Sequence, residues 1–110
     1  MDKAIFIKEL RDIFSGLNEK DKRYSKVWLS DADFGGLYQS GKYNLYLKAQ
    51  NQIPRNKTEI SFLIDLLDQK LDKDKVPYIF NIEVFNTNEY ARPDRDDIIL
   101  YNDELIYNAA

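Results

Sequence analysis

Apolar positions fall into a few clearly phased segments. Phe6, Leu10, Ile13, Phe14 and Leu17 recur at helical spacing among Lys8, Glu9, Arg11 and Asp12, with Gly16 and Asn18 as stop signals. This predicts an amphipathic first helix. After a polar link over Glu19 to Arg23, the strand formers Lys26-Val27-Trp28-Leu29 predict a first strand. Ser30 to Gly41 holds Gly35, Gly36 and Gly41 and reads as a sharp turn or a place of close backbone approach. Tyr43, Leu45 and Leu47 then alternate with Lys42, Asn44, Tyr46 and Lys48, a strand with one apolar and one mostly polar face. The polar stretch Ala49 to Arg55 is a loop closed by Pro54.

Asn56-Lys57-Thr58-Glu59 reads as a helix cap with Glu three residues on, and Ile60, Leu63, Ile64, Leu67 and Leu71 keep the helical period behind it. Beyond Pro77, Tyr78 to Phe85 predicts a strand with Phe80, Ile82 and Val84 on one face and Ile79, Asn81 and Glu83 on the other. Ile98 to Tyr101 predicts a short helix or an edge strand, and Leu105 to Tyr107 a terminal strand. The order of elements predicts a single α/β or α+β domain over residues 1–110, a small mixed β-sheet with helices packed on it.

Composition narrows the chemistry. The chain has 110 residues, 44% of them hydrophobic, with no His and no Cys. A chain of this size buries roughly 65% of its unfolded surface, enough for one core without a disulfide or zinc. Thiolate nucleophiles, Cys/His zinc sites, His bases and Ser-His-Asp triads are excluded, so catalysis would have to run on Asp, Glu, Lys, Tyr or a bound metal. The cysteine count and the polar N-terminus predict a cytoplasmic protein with no membrane association. The Asn56-Lys57-Thr58 glycosylation pattern is then a chance match. Net charge is −3, and residues 86–110 hold six acidic side chains against two arginines. With a pI near 4.9, nucleic acid is not an expected partner, whereas an acidic face suits a basic one. The eight tyrosines and Trp28 offer a contact surface, Tyr46 above all, because on a polar strand face it has no core to fill.

The helix, Val27-Trp28-Leu29, the loop ending at Gly36, a second strand, the Asn56–Leu71 helix and Pro77-Tyr78-Ile79-Phe80-Asn81-Ile82 resemble the minimal nucleotidyltransferases of the DNA polymerase beta superfamily. The resemblance spans most of residues 3–107. It implies a Gly-Ser loop after the first strand, an Asp-x-Asp pair on the second and a third Asp on a later strand, together holding two Mg²⁺ ions for nucleotidyl transfer. Here Asp31-Ala32 stands in place of Gly-Ser. With the loop one residue shorter, Lys42 and Asn44 take the positions of the Asp pair and Asn81 that of the third carboxylate. A lysine at about 4–5 Å from a dication costs several kcal/mol at an effective dielectric of about 20, so the resemblance implies a degenerate site with no metal and no cofactor. Lys42 is placed to fill part of the vacated cation site and to pair with Glu83 or Asp31.

Three functions follow from this reading. The first is a pseudo-nucleotidyltransferase acting through a protein partner, as an antitoxin, immunity protein or partner subunit of a bacterial two-protein system. The second is an active Mg²⁺-dependent enzyme with ligands drawn from Asp31, Asp33 and Glu83. The third is an unrelated small α/β immunity or inhibitor protein. Asp94, Asp96, Asp97, Asp103 and Glu104 lack the glycine turn and the bidentate Glu of a calcium loop and read as a solvated acidic connection.

Overall fold

The computed structural model describes residues 2–34, 37–51 and 57–103, with side chains for all of these except 33–34, 37–41 and 57. Helix α1 (Lys3–Lys20) opens under Asp2, whose carboxylate accepts from the Ala4 and Ile5 amides at 2.9 and 3.4 Å. Phe6, Leu10, Ile13 and Phe14 form its buried stripe, as the spacing predicts. The helix runs past Gly16 to Lys20, so Gly16 is an interior position rather than a stop.

Strands β1 (Tyr24–Phe34) and β2 (Leu37–Ala49) pair antiparallel. Both are longer than their apolar runs suggest. Most of the segment from Ser30 to Gly41 is ladder rather than turn, because backbone pairing continues through Asp33↔Tyr38 and Phe34↔Leu37 after side-chain alternation has faded. Gly35 and Gly36 lie outside the described residues. So does Asn56, and with it the cap expected for helix α2 (Lys57–Lys70).

A 3₁₀ turn at Val76–Tyr78 leads into β3 (Ile79–Phe85), which lies parallel to β2, the crossover through α2 supplying the long connection that parallel pairing needs. Strand β4 (Ile98–Asn102) settles the alternative between helix and edge strand in favour of the strand, antiparallel to β1. Leu105 to Tyr107 lie outside the described residues. The sheet order is β3-β2-β1-β4. The fold is therefore a small α+β structure, two helices on a four-stranded mixed sheet.

One face of the sheet carries the core. Val27, Leu29, Tyr43, Leu45, Leu47 and Leu100 meet Phe6, Leu10 and Phe14 of α1 and Leu63, Leu66 and Leu67 of α2 in a single buried cluster. Arg11 ties α1 to the sheet edge, its guanidinium donating to the Ile99 carbonyl at 3.0 and 3.2 Å. The predicted facing of β3 holds at Ile82 and Val84 but changes at its start. Tyr43 pairs with Ile79 and Asn44 with Asn81, so Phe80 is an extra residue, 47% exposed, while Ile79 packs on the core. No helix among the described residues is long and apolar enough to cross a membrane.

Candidate functional site

The face away from the helices is set out by strand register, since in-register partners share a face. Its first row is Asn81–Asn44–Ser30, its second Glu83–Tyr46–Trp28–Ile99, its third Phe85–Lys48–Lys26–Asn102. Lys42 continues the same face two residues before Asn44. The sheet thus brings Lys42, Asn44, Asn81 and Glu83 to one face. Asp31 is different: it pairs with Tyr43, whose ring stacks on Phe6 in the core at 5.8 Å, so it occupies the opposite face at the exposed end of β1. The Asp33 side chain lies outside the described residues. Neither Glu83 nor Asp31 forms an ion pair with Lys42. The lysine is half-buried, and Glu83 lies two rows away on the same face while Asp31 is on the opposite one. Among the described residues no three acidic side chains converge as a metal site would require. Asn44 Oδ1 is buried without a hydrogen-bond partner among them.

The second row carries what the sequence reading did not assemble. Trp28 is only 3% exposed although it points away from the main core. Its ring lies parallel to that of Phe85 at 6.2 Å and tilted against Tyr46 at 5.7 Å, and Tyr46 meets Phe85 at 6.0 Å. Tyr46, expected to lack a core, therefore belongs to a second, aromatic one.

The connection from 86 to 97 folds over this cluster through two turns. Glu89 N–H donates to the Asn86 carbonyl at 3.1 Å and Asn86 N–H to Glu89 Oε1 at 2.9 Å. Asp97 N–H donates to the Asp94 carbonyl at 3.1 Å and Asp94 N–H to Asp97 Oδ2 at 2.8 Å. Between connection and sheet lies a cleft of about 500 Å³. Trp28, Tyr46, Phe85, Tyr90 and Ala91 line it with Glu83, Asp94 and Asp97, whose charge is offset among the described lining residues by Arg92. The Arg92 guanidinium sits 5.7 Å from the centre of the Tyr90 ring, which is 81% exposed. Burial raises the pKa of the Tyr46 hydroxyl and Glu83 raises it further; the Asn44 side chain opposes the rise, and Asp97 and Asp94 add to it. The cleft is thus a negative, aromatic environment. Asp94 and Asp97, read in sequence as part of a solvated connection, line it.

A second polar cluster lies at the other end of the core. Glu59, in the first turn of α2, is buried. It accepts from Arg23 Nε at 3.1 Å, from Arg23 Nη2 at 3.3 Å and from the Tyr24 hydroxyl. Arg23 also donates to Asp21 at 2.9 Å and stacks over Phe62 at 4.2 Å. Asn18 Oδ1 accepts from the Arg23 and Tyr24 amides at 3.1 Å each. Burial alone would raise the Glu59 pKa, but the hydrogen bonds from Arg23 and Tyr24 and the Arg23 charge outweigh it and hold the carboxyl below its ordinary value. Burial and the adjacent Glu59 push the Tyr24 hydroxyl strongly upward. Both Glu59 oxygens are occupied internally, so this cluster fastens α1, β1 and α2 together.

A smaller concavity of about 260 Å³ separates α2 from the β3 edge, with Ile60, Ile64, Leu67, Phe80 and Ile82 among its walls. Comparison with protein-family models, curated proteins and solved structures finds no match for this chain.

Proposed function

We propose that the protein is a non-catalytic binding module: a cytoplasmic, nucleotidyltransferase-like domain with a degenerate site, which acts by holding a protein partner as an antitoxin, immunity protein or partner subunit does. The observation that carries this reading is the open sheet face. At the positions where the resemblance implies metal-holding carboxylates, Asn44 and Asn81 stand as cross-strand neighbours with Lys42 on the same face. A cleft of aromatic and charged side chains adjoins them. Amides and a lysine do not replace the anionic oxygens that Mg²⁺ prefers. The separation of Asp31 and Glu83 onto opposite faces also weighs against an active enzyme that uses both.

Isothermal titration of the purified chain with Mg²⁺ and ATP tests the proposal. The expected result is no metal-dependent binding. Micromolar binding that requires Mg²⁺ overturns the reading and restores the enzyme.

A further inference from the structure

We propose that the cleft beneath the 86–97 connection is a receptor for an arginine side chain presented by a protein partner; this rests on the binding-module reading and names the chemistry of its partner. Rings and charge combine there. Phe85 and Tyr46, backed by the buried Trp28, and the exposed Tyr90 provide the aromatic surface, while among the described lining residues Glu83, Asp94 and Asp97 outnumber Arg92. Aromatic faces attract cations through their quadrupole, and a guanidinium also stacks flat on them, which an ammonium does not. Arg92 already lies over the Tyr90 ring, 5.7 Å from its centre. A volume of about 500 Å³ leaves room for the side chain together with part of its own backbone. Ser30 lines the same cleft and offers its hydroxyl to such a segment.

Trp28, the only tryptophan, makes the cleft report on itself. The experiment titrates the intact chain with N-acetyl-arginine amide and with a Gly-Arg-Gly peptide, following Trp28 fluorescence. The citrulline analogues, neutral and nearly isosteric, serve as controls. Saturable binding of the arginine probes and none of the citrulline probes is expected, weakening as ionic strength rises from about 0.05 to 0.5 M. The combined substitutions Glu83→Gln, Asp94→Asn and Asp97→Asn should weaken the arginine probe by about tenfold or more. Arg92→Gln should tighten it by about threefold, by removing the competing cation.

Equal binding of arginine and citrulline, or an Arg92→Gln variant that binds no better, overturns the proposal even if the triple variant does not fold. The titration with Mg²⁺ and ATP separates the two readings. Loss of arginine binding with no nucleotide binding removes the cleft's specificity alone, whereas metal-dependent nucleotide binding removes the binding-module reading beneath it.

Discussion

Replacing Arg23 with Met removes the cation from the Glu59 cluster while leaving an unbranched stem to pack on Phe62. Two hydrogen bonds to Glu59, at 3.1 and 3.3 Å, are lost, and a carboxylate whose side chain is 11% exposed keeps only Tyr24 as a donor. Stranding one member of a buried pair typically costs 3–5 kcal/mol. Here Arg23 is 31% exposed and Tyr24 still donates, so the expected loss is about 2–3 kcal/mol. In a chain of this length that lowers Tm by roughly 10 °C. Urea unfolding followed by circular dichroism measures the loss. The double variant Arg23→Met/Glu59→Gln should recover part of it, because the uncompensated charge is gone.

Acid adds an independent readout. The Glu59 pKa in the folded chain lies below its ordinary value of 4.5, so its stabilising contribution is present above that value and is lost as pH falls through the depressed one. In Arg23→Met, burial dominates and the carboxyl takes up its proton at higher pH. The stability gap between the native chain and the variant should therefore narrow below about pH 5. A variant within about 0.5 kcal/mol of the native chain at pH 7, or a gap that does not change with pH, refutes the argument that this ion pair fastens the helices.

Two further substitutions probe other parts of the fold. Gly16→Ala should raise stability by about 0.5–1 kcal/mol in the same urea assay, since the position is helix interior and a Cβ there meets nothing within 4 Å. Trp28→Ala should cost about 3–5 kcal/mol despite its place on the face opposite the helices; a loss below about 1 kcal/mol would show that the aromatic cluster is not packed as described.

Local periodicity made much of the fold legible. Phe6 to Phe14, Leu63 with Leu67 and Leu71, and the Tyr43-Leu45-Leu47 alternation each bury a face against the core, and burial requires the repeat that the sequence displays; Ile64, in the same predicted period, is 46% exposed. What it did not display depended on pairing between distant strands. The ladder between Ser30–Phe34 and Leu37–Asn44 is held by main-chain bonds that leave no hydrophobic signature, and the slip at Phe80 follows from its register with β2. The Glu59–Arg23 pair joins residues 36 positions apart, so no local motif announces it. Lys42, Asn44, Asn81 and Glu83 could be placed on one face by alternation alone, whereas the opposite facing of Asp31 needed its partner Tyr43. The cleft did leave one trace. Trp28, Tyr46 and Phe85 each occupy the non-core phase of their strands, and three aromatic rings out of phase with the core mark a second surface that must be covered.

That covering carries the functional argument. A sheet with helices on one side leaves its other face to solvent unless something lies over it, and burying rings there is favourable at about 25 cal/mol per Å² of apolar surface. An efficient cover would direct aliphatic side chains downward and its charges outward. The 86–97 connection instead lines the space beside the rings with Arg92, Asp94 and Asp97 together with Tyr90 and Ala91, and leaves about 500 Å³ unfilled. Glu83 and Asp94 stay exposed and Asp97 half-buried, so these carboxylates keep their hydration and remain open to an incoming group. A cation brought in from outside would meet the carboxylates and the exposed ring surface together. The charge placement that makes the cleft a poor cover is therefore what suits it to recognising a basic partner.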